Sequence, residues 1–529
     1  MPELAQRRRG RPLSLPDDPS PITTVLGGVR PRIAWLLAVS RLYAADGLHG
    51  HRLQFIDELK ARGVSADASR VSRWESGAQA VNAKVIDAYE QVLDIPRGSL
   101  ATVAEGLSRS LDPDAPPLQL SPADPSELHA ALDELFETIN ASEHDGQHWN
   151  ALVNKLTRHE NVYLAPKTWA EISDLLIAEL ARSVSLGYIR RYEALRMLIR
   201  HPVSQRYAMR SLGVFVTRPS AQVVAQPLTL LQEVPDQAAS QLVLRLLSSE
   251  SSGLKRGSAW VAASKLARHQ FDEDALDQLE AFAVYMWRDP DQSGFELDAV
   301  DLIARLPRER TERVLAALRH DRRTKGLERS VRSGEIVSYE HSRRVSKTIA
   351  ARAQAETPTP YRVEPDAMLV RLVREALFHT HKERRNQASL LLGASPFADA
   401  VGRACMDVVD LEDEVIAVRA LTLMIYVAPK LERDRLMKWS LQDSRPTVRS
   451  RAMMVLAQLP DWLDADEEDA VVNTMSTSME PAIHYGALYL LGMHGARSLA
   501  RLETDGDDYQ RETAHWWRTL GPAIHDPVH

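Results

Sequence analysis

PTVRSRAMMVLAQLP, residues 446–460, is the stretch whose reading decides the fold. Ala452 is followed four residues later by Leu456, and helical geometry puts the small and the large side chain on one face. The same pair recurs in RNQASLLLG (Ala388, Leu392), VRALTLMIY (Ala420, Met424) and HYGALYLLG (Ala487, Leu491). The alanines are spaced by 32, 32 and 35 residues. A small-and-large face that returns with such a period is what stacked helix pairs need, so the C-terminal third reads as a helical solenoid.

Outward from there the chain is helix after helix. Segments such as 169–184 (WAEISDLLIAELARSV), 188–199 (YIRRYEALRMLI) and 274–287 (DALDQLEAFAVYMW) carry apolar residues at helical spacing, and no sustained two-residue alternation would build a sheet. The fragments VFVT (214–217) and EIVSY (335–339) are short and isolated and read as helix ends or loop. Residues 446–460 and 414–429 resemble HEAT-type repeats with a short period, and 204–216 and 255–267 read as degenerate members. Proline and acid mark 112–125 and 353–367 as linkers. The expected fold is therefore all-α. It divides into a basic disordered arm (1–29), a five-helix head (30–111), a helical domain (126–352) and HEAT-like repeats (368–529).

The head is defined by SRVSRWESG at 69–77. Ser65 and Asp67 offer capping oxygens for a helix over 68–75, and Gly77 supplies a left-handed stop. Val71 and Trp74 share one face of that helix, which leaves Ser69, Arg70, Ser72 and Arg73 pointing away. Helical patterns at 31–45, 51–62, 82–93 and 98–111 flank it. Five short helices with SRWESG on the third resemble the Xre/Cro/C1-type repressor domain. The resemblance implies that Ser69, Arg70, Ser72 and Arg73 meet bases or nearby phosphates of double-stranded DNA. It also implies that Glu75 pairs with an arginine of the first helix, Arg41 being the better placed and Arg32 the other candidate. Between Leu59 and SRW this chain has KARGVSADASR, a longer connection than the family's usual turn.

A second basic element, RGRP with Arg9 and Arg11, resembles the core of an AT-hook, whose arginines enter a narrow minor groove. Residues 1–110 hold 15 Lys+Arg against 12 Asp+Glu, a net of +3, while the whole chain is at −7. A mildly basic head on an acidic body fits a local DNA footprint. The interval 319–352, with ten basic and four acidic residues, reads as a solvated face.

The function classes that the sequence excludes follow from missing motifs. There is no phosphate loop, HExxH, GxGxxG, CxxC or GxSxG, so no enzyme and no cofactor are expected. His144 with His148, and His379 with His381, lack a third ligand and read as surface histidines, so no metal is expected. Cys405, the single cysteine, reads as core packing and suits a reducing compartment. One of Trp516 and Trp517 reads as capping the last repeat. With no apolar run long enough to span a bilayer, the expectation is a cytoplasmic, nucleoid-associated homodimeric transcription regulator whose helical body dimerises or receives a partner. The alternative is a DNA-tethered helical-repeat scaffold.

Overall fold

The computed structural model describes residues 12–23, 28–44, 52–111, 125–140, 145–288, 294–427 and 432–526. Among them the chain is all-α, with 28 α-helices and only isolated β-bridges. The head comprises α1 (Val29–Leu42), α2 (Arg52–Ala61), α3 (Ala68–Glu75), α4 (Ala83–Val92) and α5 (Ser99–Leu111). The first half of the body comprises α6 (Pro125–Asn140), α7 (Gly146–Thr157), α8 (Pro166–Arg182), α9 (Ser185–Arg200), α10 (Gln205–Val216), the short α11 (Ala225–Leu228), α12 (Gln237–Leu247), α13 (Ser252–Ala267), α14 (Glu273–Arg288), α15 (Glu296–Arg305), α16 (Arg308–Leu318) and α17 (Thr324–Ser333). The second half comprises α18 (Tyr339–Glu356), α19 (Ala367–Phe378), α20 (Lys382–Gly393), α21 (Ala398–Leu411), α22 (Glu414–Val427), α23 (Arg433–Gln442), α24 (Pro446–Leu456), α25 (Ala465–Ser476), α26 (Pro481–Met493), α27 (Ser498–Asp505) and α28 (Asp508–Leu520).

The small-and-large pairs do what their spacing requires. Ala388, Ala420, Ala452 and Ala487, with Leu392, Met424, Leu456 and Leu491, are all buried, on α20, α22, α24 and α26 respectively. These four helices stack side by side in one row, and α21, α23 and α25 pack beneath α22, α24 and α26 as their partners. The first half repeats the arrangement with α13, α15 and α17 in one row and α12, α14 and α16 in the other. Local signals set the helix ends: Asp464 and Asp507 form capping boxes with Glu467 and Gln510, and Pro166, Pro446 and Pro481 sit in first turns where a missing amide costs nothing.

The stack does not end as an open rod. The Trp517 indole donates to Gln222 Oε1 at 2.5 Å, Tyr485 donates to the Gln222 carbonyl at 3.0 Å, and Trp516 packs on Phe215 of α10. The Ile524 amide donates to the Arg182 carbonyl at 2.9 Å, and Asp526 accepts from Arg191 Nη1 at 2.8 Å and the Gly146 amide at 2.7 Å. These contacts join α26, α28 and the residues after them to α7–α10, so the body closes into a ring. Both tryptophans are buried in that seam, where the sequence suggested only one as a cap.

Of the two expected linkers, 353–367 behaves differently from its composition, and 112–124 lies outside the described residues. Helix α18 runs through Glu356, and the residues after it pack on the head: Thr359 donates to the Leu42 carbonyl, and Asp366 accepts from the Trp35 indole at 2.8 Å. Part of the expected disordered arm is also held, since Leu13 exchanges backbone hydrogen bonds with Arg362 and Glu364, and Asp18 is buried. VFVT lies at the end of α10, and Glu335 of EIVSY forms a single bridge with His379. No helix among the described residues is long and apolar enough to cross a membrane.

Candidate nucleic-acid interface

Helix α3 starts where Asp67 caps it, its carboxylate accepting the Arg70 amide at 2.8 Å. The helix stops at Gly77, whose φ of +75° is a conformation that glycine reaches without strain. Val71 and Trp74 are buried against α1 and α2. Glu75 fixes the rotation of the helix: Arg41 Nε and Nη2 each lie 2.6 Å from one of its carboxylate oxygens, and Tyr89 of α4 donates to it at 3.1 Å. Burial opposes the charge on Arg41, but hydrogen bonds to Glu75 and its negative charge outweigh burial and hold the guanidinium above its ordinary value. One carboxylate thus ties α1, α3 and α4 together through a two-point, charge-assisted contact.

With one face buried, the other is set. Ser69, Ser72 and Arg73 are exposed on the outer face of α3. The Arg73 guanidinium has no hydrogen bond within the described residues, whereas Arg70 Nη1 donates to the Ser65 carbonyl at 2.7 Å and stands at the edge of the face. Arg32 does not approach Glu75. Its Nε lies 2.8 Å from Asp18 and its Nη2 2.7 Å from Glu375 of α19, because the first-turn position of Arg32 points at the body. Arg9 and Arg11 lie outside the described residues.

That second contact docks the head. Glu375, fully buried, accepts from Arg32, from Arg384 Nη2 at 2.7 Å and from Arg371 Nε at 2.8 Å, and Asp18 also accepts the Gly28 amide at 2.9 Å. Burial alone would raise the Glu375 carboxyl, but the three guanidiniums bring it down to about 2. Asp18 is likewise held well below the usual carboxylate range: burial opposes this, and hydrogen bonds from Ser20 and the charge of Arg32 prevail. On the other side of the head, the Arg190 side chain of α9 donates to the Arg97 carbonyl, just before α5. Helix α5 rests on both α9 and α20. Nothing in the sequence flagged Asp18, Glu375, Arg384 or Arg371, since the contacts that join head to body, Arg32 with Glu375 and Arg371 with the Asp18 carbonyl, span 343 and 353 residues.

The histidine readings need correction. His379 and His381 are buried, not on the surface: His379 Nε2 meets the Ile22 carbonyl at 2.7 Å, and His381 Nδ1 meets Asp301 at 2.9 Å. Burial pulls His379 down to about 3. Their alternation follows a turn between α19 and α20, where both rings fold inward. His148 contacts Thr138 Oγ1 at 2.9 Å, and His144 lies outside the described residues. No group of three or more His, Cys, Asp or Glu among the described residues could hold a metal ion. Cys405 is buried, and burial pushes its thiol up to about 12.

No family model and no curated protein matches the sequence. Among solved structures, the chain is similar to an engineered protein (12% identity, 74% of this chain and 98% of that one, TM-score 0.21). It is also similar to a chain from a study of tubulin recruitment and assembly by microtubule polymerases with TOG domain arrays (10% identity, 79% and 93%, TM-score 0.21). A third is a Kap121p mutant (12% identity, 93% of this chain, TM-score 0.24), of which the chain spans about half, 49%. Likenesses this slight say nothing of function.

Proposed function

We propose that this is a DNA-binding helical-repeat protein in which α3 enters the major groove and the ring-shaped body carries the head. The observation that supports this best is the division of α3: Val71, Trp74 and Glu75 are locked inward, and Ser69, Ser72 and Arg73 form an open row beside Arg70. A guanidinium in such a row can give two parallel hydrogen bonds to guanine O6 and N7, and serine hydroxyls serve either base edges or phosphates. Arg73, whose guanidinium has no hydrogen bond within the described residues, is the base-reading residue, and Arg70 is the neighbour that steadies the turn and reaches phosphate. A two-fold pair of heads would demand half-sites ~34–36 Å apart or a multiple of that.

A mobility-shift assay of the full chain against genomic fragments tests the reading. Selective retention of some fragments over random DNA at physiological salt is expected, and Arg73→Ala weakens the preferred site by about 1–3 kcal/mol. Equal retention of all fragments by wild type would reject it.

A second reading, a scaffold that assembles other proteins while the head tethers it, has its own support. Leu411 and Met479 are 82% and 95% exposed on the α21–α22 and α25–α26 turns, along one edge of the stack. Affinity capture with the full chain, compared with Leu411→Ser and Met479→Ser, distinguishes it: a protein retained by wild type and lost by both variants supports the scaffold.

A further inference from the structure

Closing the stack into a ring turns its inner faces toward one another. On α20, α22 and α24 those faces carry Lys382, Arg385, Arg419 and Arg451, one or two cations per helix. Asp298 and Asp301 act on Lys382, Arg385 and Arg419 only at a distance, since their carboxylates are held by other groups. Asp298 is engaged by the Trp260 indole at 2.8 Å and by Arg256 at 3.3 Å, and Asp301 by His381 at 2.9 Å. Lys382 Nζ sits 3.0 Å from the centre of the Trp260 ring of α13, and Arg385 Nη1 finds only the carbonyls of His379 and Thr380, at 2.9 and 2.5 Å. Arg419, only 9% exposed, and Arg451 make no side-chain hydrogen bond within the described residues. Four cations on facing walls of the ring, two of them without a side-chain hydrogen bond among the described residues, attract negative charge.

The remaining wall is aromatic. Tyr188 of α9 lies within electrostatic reach of Tyr426 and Tyr489, which stand opposite on α22 and α26, and Arg451 lies within reach of Tyr426, Tyr485 and of Arg256 across the ring. Tyr485 and Tyr489 stack 6.5 Å apart with planes 12° from parallel. Flat π-faces beside guanidiniums suit a planar group that carries phosphates.

We infer that the lumen of the ring binds a small polyphosphorylated ligand, of the class of a nucleoside triphosphate, with Lys382, Arg385, Arg419 and Arg451 on its phosphates and the tyrosines beside its planar part. This site stands apart from the DNA reading of α3 and would survive its failure. The charge state agrees: burial first, then repulsion from Arg385, keeps Lys382 and Arg419 well below their ordinary values, and burial brings Arg385 to about 10. An anion entering the lumen relieves that strain. Because α5 rests on α9 and α20, two walls of the lumen, a ligand gripping both would stiffen the seat of the head.

Thermal unfolding and calorimetric titration of the full chain with ATP and with pyrophosphate as separate probes at low salt test the site. Wild type should gain several degrees in melting temperature with either probe. The double variant R419Q/R451Q should lose at least tenfold in affinity for both. Without added anion it should melt no lower than wild type, since it lacks two uncompensated cations, which separates ligand loss from misfolding. Tighter binding of ATP than of pyrophosphate would assign the tyrosines to the planar group, and equal binding would support a site for the phosphates alone. No stabilisation of wild type by either probe, or an unchanged response in the double variant while Arg343→Gln on α18 behaves as wild type, would overturn the inference.

Discussion

The seam of the ring turns on Gly492. A β-carbon built there would fall inside the Trp517 indole, so Gly492→Ala forces that ring to move. The indole has nowhere to go: it meets Trp516 edge-on at 4.8 Å and Tyr489 at 5.7 Å, and its Nε1 is committed to Gln222. Overpacking of a core costs about 1–3 kcal/mol. Displacing a buried tryptophan forfeits part of the roughly 3–5 kcal/mol that such a side chain contributes, and the Gln222 hydrogen bond adds about 1 kcal/mol. Against this, alanine in a helix is favoured over glycine by about 1 kcal/mol. The net expectation is a loss of about 2–4 kcal/mol, following from these same terms. Urea titration followed by tryptophan fluorescence measures it. Gly213→Ala on α10 is the matched control, because a β-carbon there meets nothing within 4 Å, and it should stabilise by up to about 1 kcal/mol. If Gly492→Ala were as stable as wild type, the close approach of α26 to α28 described above would be wrong.

Other perturbations probe the docking of the head. Glu375→Gln leaves Arg32, Arg371 and Arg384 around a neutral amide and should cost about 3–5 kcal/mol, read as faster hydrogen exchange in α1. On acidification, Glu375, lowered from 4.5 to about 2, contributes stability that is complete above pH 4.5 and is lost as pH falls toward 2. His379, held neutral down to about pH 3, contributes stability that erodes as pH falls from 6.5 toward 3. The head should therefore loosen between about pH 6 and 3, measurable as proteolytic release at the α1 contact. Asp366 has the opposite sign: burial raises it to about 6, so its contribution is full below 3.8 and is lost as pH rises through 6. Asp366→Asn should stabilise the protein at pH 8, by at most about 3 kcal/mol, and hardly at all at pH 3.

What could be read in the sequence was local. The α3 boundaries, Ala68–Glu75, depend on Asp67 and Gly77, all within eleven residues, and the repeat depends on side chains four apart on single helices. The features that escaped reading are joined through space. Arg32 and Glu375 are separated by 343 residues and Arg191 and Asp526 by 335, and no period or spacing connects them. The histidines misled for the same reason, because HTH at 379–381 looks polar until Asp301 and Ile22 arrive from elsewhere in the chain. Helix α18 runs four residues into 353–367 before the break, and composition cannot say that the segment lies against Trp35 and Leu42.

Closure of the body changes how it can come apart. A linear array of helix pairs frays from its terminal repeats, each of which lacks one neighbour, and its cooperativity decays with length. Here the first and last repeats are each other's neighbour, so no pair is terminal and none can peel away without first breaking the seam at Gln222 and Asp526. Partial unfolding then has a threshold rather than a gradient, and a body of this size is expected to melt in one step where an open stack would melt in several.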